Sequence, residues 1–81
     1  MKLILVLQRG WVVVGNLAEE TEAKVRLTEA FIIRRWGTTG GLPQLAREGR
    51  QSGTILDGLC SVEAHPLAIV LRIPCEDSKW S

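Results

Sequence analysis

Apolar residues fall along this chain in short blocks with the spacing of β-strands. Residues 3–7 and 11–14 are apolar runs rich in β-formers, and Gln8, Arg9 and Gly10 separate them. This predicts two strands around a turn or bulge. The chain then becomes polar through Glu19, Glu20, Thr21 and Glu22, read as an acidic loop, before Ala23, Val25 and Leu27 alternate with Lys24, Arg26 and Thr28. A period of two predicts a half-buried antiparallel strand. Residues 31–36 have the composition of a strand without clean alternation, so Phe31, Ile32, Ile33, Arg34, Arg35 and Trp36 would give both faces apolar and charged groups. Such a strand is expected at an edge or beside a partner.

Gly37, Gly40 and Gly41 punctuate the middle of the chain, and residues 42–48 after them carry the one helical pattern. Pro43 suits a first turn, Leu42, Leu45 and Ala46 share a face, and Gly49 can end the helix. Two turns have no stability of their own, so Leu42 and Leu45 must dock on the sheet. Residues 54–56 read as extended, and Asp57-Gly58 is a hairpin signal leading into a strand over 59–64. His65-Pro66 then breaks the pairing. A last apolar strand covers 67–73, with Leu67, Ile69, Leu71 and Ile73 on one face and Ala68, Val70 and Arg72 on the other, closed by Pro74. One domain is expected over 1–75, followed by a C-terminal tail over 76–81 that is polar apart from Trp80.

Composition sharpens this picture in two ways. At 81 residues with 46% hydrophobic side chains, the chain is more apolar than its size can comfortably bury. A domain this small hides only roughly 60–65% of its unfolded surface. The formal net charge of +1 gives no global field to draw in nucleic acid or anionic lipid, so charge acts only through local clusters. Met1-Lys2 and the apolar run after it imitate a signal peptide, but Arg9 cuts the run short of the about 7–15 apolar residues required. No apolar run approaches the ~20 residues that span a bilayer, so the expectation is a cytoplasmic protein with no membrane partner. Cys60 and Cys75 form no C-x-x-C pair and read as free thiols, although a bridge between them is possible if the chain doubles back.

Catalytic readings find little support. His65 is the one histidine, placed in a bend with no acid or nucleophile at a relay spacing, and one His with two separated Cys cannot complete a metal shell. No enzyme activity, cofactor or metal is expected. The segment from Arg34 to Gly41 is the exception: Arg34 and Arg35 supply cationic groups, Trp36 a stacking face, and the glycine-rich turn with Thr38 and Thr39 leads into a helix N-terminus. Such a set can hold a phosphate, a carboxylate or a base, and Arg47 and Arg50 can extend it. The same residues also have a purely structural account. In it the glycines serve turn geometry, a threonine caps the helix, Trp36 fills the core, and the arginines pair with Glu29, Glu48 or a neighbouring subunit.

The series Ile33-Arg34-Arg35-Trp36-Gly37-Thr38-Thr39-Gly40-Gly41-Leu42, followed by Leu45-Ala46 and Gly49, resembles a family of short, functionally uncharacterised proteins carried by phages, prophages and other mobile elements. The likeness extends over roughly residues 1–73, with Pro43 and the two cysteines as departures. It implies a genomic setting and no activity.

Together these readings predict an α+β fold: a small, strongly curved antiparallel sheet or open barrel of about five or six strands with one short helix. The function expected first is an interaction or structural module from a mobile element, assembling as a homo-oligomer through strand edges and apolar faces. The alternative is a nucleic-acid or anion-binding accessory protein using Arg34, Arg35, Trp36, Thr38, Thr39 and Arg47.

Overall fold

The computed structural model of the protein describes residues 1–58 and 61–80. Its strands are β1 (Lys2–Leu7), β2 (Val12–Glu20), β3 (Val25–Arg35), β4 (Ile55–Gly58), β5 (Ser61–Ala64) and β6 (Ile69–Pro74), with one helix, α1 (Gly41–Glu48), between β3 and β4. All strand pairs are antiparallel in one six-stranded sheet ordered β4-β3-β2-β1-β6, and β5 also pairs with β3. The α+β class expected from the sequence is therefore present. The sheet stays open, because among the described residues β6 pairs only with β1, and β4 and β5 only with β3.

The two strands expected at 23–28 and 31–36 are one, the 11-residue β3, interrupted by a bulge. Val14 pairs with Phe31 and Asn16 with Thr28, so Glu29 and Ala30 stand opposite Gly15 alone. The extra residue reverses the alternation. Val25, Leu27, Ala30 and Ile32 pack with Leu3, Leu5 and Val13 on one face of the sheet, while Phe31 and Ile33 pack with Ile4, Val12 and Val14 on the other. Residues 31–33 lack a clean pattern because both faces are covered at this point. Glu29 adopts the left-handed φ of 49°, and its carboxylate accepts a hydrogen bond from the Asn16 amide at 3.2 Å. Gly15 opposite it leaves little room for a side chain: a Cβ there would lie 3.0 Å from Leu27 Cβ and 3.1 Å from Ala30 Cβ.

This bulge and a second one, where Leu17 pairs with Leu27 and Glu19 with Arg26 and Ala18 is left over, bend the β2–β3 hairpin back over the sheet. Glu20 forms a hydrogen-bonded ion pair with Arg72 of β6, and Arg72 stands level with Leu5 and Val13. A straight β2 would carry Glu20 roughly 23 Å beyond Val13 at about 3.3 Å per residue. The contact is geometrically possible only because the hairpin bends. Arg72 holds the Glu20 carboxyl below its usual value, chiefly through that hydrogen bond, and the arginine is raised in turn. Glu19 and Glu20 of the acidic stretch are thus paired rather than simply solvated, Glu19 contacting Lys24 at 3.5 Å and Arg26 at 3.4 Å.

The other face is closed by α1, which buries Leu42, Leu45 and Ala46 on it as the pattern required. The C-terminal residues do not form a free tail. Glu76 N–H donates to the Ala46 carbonyl at 2.9 Å, Asp77–Lys79 makes a 3-10 turn, and Trp80 packs against the same core with its indole N–H directed to the Ala46 carbonyl at 3.3 Å. Gly49 ends the helix with φ 81°, and a Cβ on it would lie 2.3 Å from the Lys79 carbonyl oxygen.

Two further expectations are corrected. Asp57-Gly58 is not a hairpin turn: both residues belong to β4 and pair with Ile32 and Phe31, while β5 pairs with the other half of the same strand. A single long bent strand thus gathers two partners along one edge. In β6, the register shifts between Val6 and Leu7, leaving Val70 as the extra residue. The shift puts Ile69 on the hairpin side and Ile73 on the helix side, not on one face as continuous alternation implied. Leu67 and Ala68 lie in the 3-10 turn Pro66–Ala68 and not in the strand.

These environments make a clear contrast in stability. Leu27 is fully buried at the centre of the hairpin-side cluster, whereas Leu67 is 82% exposed. Leu27→Ala should cost about 2–5 kcal/mol of unfolding free energy. Leu67→Ala should stay within about 0.5 kcal/mol for the isolated chain, read at a protein concentration low enough to keep it monomeric. Urea unfolding followed by circular dichroism measures both.

Candidate functional site

The end of β3 and the turn into α1 hold most of the residues singled out from the sequence. Arg34 is the extra residue of another bulge, since Ile33 pairs with Leu56 and Arg35 with Ile55. Its guanidinium meets Asp57 of β4 at 3.0 Å. This is a different partner from the Glu29 and Glu48 expected for it, which instead accept hydrogen bonds from Asn16 and Gln44. Arg35 is exposed and makes no ion pair among the described residues. Trp36 does not fill the core: it is 42% exposed, with its ring edge over Gly41.

The turn itself is fixed by backbone contacts. Gly37 has φ 69°, and a Cβ on it would lie 2.3 Å from the Gly53 carbonyl carbon, so only glycine permits this approach. Thr54, the buried polar residue beneath, donates to the Trp36 carbonyl at 2.7 Å and accepts from the Gln51 N–H at 2.8 Å. The threonines of the turn are also occupied, Thr38 on the Gly41 carbonyl at 2.8 Å and Thr39 on Gln44 Oε1 at 3.4 Å. Neither caps the helix. Gln44 does so, accepting the Gly40 N–H at 2.6 Å, and thereby takes up a donor that an anion would have used. Arg47 lies in the last turn of α1, about 9 Å along the axis from Gly41 at 1.5 Å per residue. It therefore belongs to the end of the helix opposite the turn that Arg34, Arg35 and Trp36 lead into. No pocket and no cluster of metal-ligating side chains forms among the described residues.

The remaining reactive groups serve local structure. His65 Nδ1 accepts the Leu67 N–H at 3.1 Å and so forms the bend between β5 and β6. Cys75 is half-buried behind β1, and burial pushes its thiol up to about 11. Cys60, and with it the question of a bridge, lies outside the described residues.

A second surface was not named residue by residue from the sequence. At the far end of the sheet, Leu67, Val70 and Leu71 are 82, 65 and 52% exposed and Trp11 is 55% exposed. The end of β1 ties them together: Val6 pairs with Leu71, Leu7 with Ile69, Leu7 N–H donates to the Trp11 carbonyl at 2.7 Å, and the Gln8 amide reaches the Leu67 carbonyl at 3.4 Å. The only available signal was the two-faced apolar character of 67–73, because exposure depends on which strand ends at the edge. Comparison of the chain with protein-family models, curated proteins and solved structures finds no match.

The raised Cys75 thiol gives a direct test of its environment. In a Cys60→Ser background, alkylation by iodoacetamide should be slow at neutral pH and should keep accelerating up to about pH 11, where the thiol is half ionised. The rate followed by mass spectrometry from pH 7 to 11 checks this.

Proposed function

We propose that the protein is a small interaction module, without catalytic activity of its own, that works as a homo-oligomer. The exposed apolar group Trp11, Leu67, Val70 and Leu71 carries this reading. It gathers four of the six exposed large apolar residues among the described residues at one end of the sheet, beside a strand edge that has no further strand partner among those residues. The resemblance of residues 33–49 to mobile-element proteins supports a setting in such an element, and the closely satisfied turn at 36–41 supports a structural role for that motif. Sedimentation should give a mass above that of the 9.0 kDa chain at micromolar concentration. A clean monomer there contradicts the proposal.

A second reading rests on the exposed Trp36 ring beside Arg35, which offers a stacking face and an unpaired cation to single-stranded nucleic acid. Its consequence is binding that weakens with salt and falls at least about tenfold in Arg35→Ala/Trp36→Ala, because aromatic stacking alone is worth about 1–3 kcal/mol per base. Fluorescence anisotropy with labelled oligonucleotides measures it, and absence of wild-type binding removes the reading.

A further inference from the structure

We infer that the occupant of the β6 edge is a second copy of this chain, packed about a two-fold axis so that Leu67, Val70 and Leu71 of one molecule meet the same residues of the other. This rests on the oligomer proposed above and specifies its interface. The two open edges of the sheet differ in chemistry. Among the described residues of β4 and β5 the exposed ones are Gly58, Ser61 and Glu63, whereas on and before β6 they include Leu67, Val70 and Leu71. Pairing one edge with the other, head to tail, would press an apolar strip onto a polar one. Pairing β6 with itself buries apolar on apolar, and such an isologous contact closes at two copies.

Self-pairing also requires that the strip not repel its own image. Arg72 is the only charged residue between Pro66 and Pro74, and Glu20 neutralises it from within the same chain. Two β6 strands can therefore approach without setting unpaired Arg72 guanidiniums against each other. An anionic partner, by contrast, would find no free cation on this strand.

The edge is meanwhile poorly suited to open-ended strand addition. Cys75 N–H donates to the Lys2 carbonyl, and with Ile4 opposite Ile73 and Val6 opposite Leu71 the alternation turns the Arg72 peptide groups outward. On either side of that outward pair stand the Val70 bulge and Pro74, which has no N–H to give. Both interrupt a continued ladder. Side-chain burial around Val70 and Leu71, with at most a short stretch of backbone pairing, is the association this edge permits.

Sedimentation equilibrium on the full chain and four variants tests the inference. Leu71→Asp and Val70→Lys change exposed positions, so their circular dichroism should match the wild type while dimerisation weakens at least about tenfold. Glu20→Gln leaves Arg72 unpaired and should weaken the dimer at low salt, with recovery in Glu20→Gln/Arg72→Gln. A monomeric wild type overturns this inference together with the proposed oligomer. An oligomer that survives both Leu71→Asp and Val70→Lys, or one larger than a dimer, overturns the β6 two-fold and leaves the oligomer standing. Loss of association in Glu20→Gln that the double variant fails to restore overturns the role given to charge neutralisation.

Discussion

The placement of Glu29 and Ala30 against Gly15 alone is the constraint on which the rest of the structure depends. The extra residue exchanges the faces of β3 midway, so one strand supplies Val25 and Leu27 to one core cluster and Phe31 and Ile33 to the other, and with a second bulge at Ala18 it bends the β2–β3 hairpin. With both faces of the central strands covered, a short chain buries Ile4 and Leu5, adjacent residues that point in opposite directions. A flat sheet with one helix would have left one of them in water. The same bend brings Glu20 to Arg72 and so links the hairpin tip to the edge strand two positions away in the sheet.

Much of the fold was legible in the sequence. Alternation placed Val25 and Leu27 on a buried face, and the pair Leu42 and Leu45 identified the docking face of α1. The bulges were not legible, for a physical reason. Glu29 sits in left-handed backbone without being glycine or asparagine, held by the Asn16 side chain from another strand, and such a long-range contact leaves no local mark. Asp57-Gly58 failed in the opposite sense. The dipeptide suits a tight turn, but the paired length of β3 opposite it held it extended.

The candidate residues divide in a similar way. Arg34, Thr38 and Thr39 have internal partners, and Arg47 lies at the other end of its helix, so the glycine-rich turn reads mainly as the joint between β3 and α1. The close approach of Gly37 to Gly53 and the hydrogen bond from Thr54 to the Trp36 carbonyl hold it in place. Arg35 and Trp36 remain as its outward-facing groups. The apolar strip on β6 could be suspected from composition but not located, since burial in a small sheet is decided by which strand is last.

On the proposed reading, another copy of the chain covers the exposed apolar group at the β6 edge. Hydrogen exchange read residue by residue at low and high protein concentration addresses it most directly. With the β6 edge covered, the amides of residues 70–72 should exchange more slowly as concentration rises while those of β5 do not change. Equal exchange of residues 70–72 at both concentrations, in a sample whose mass shows association, would contradict it.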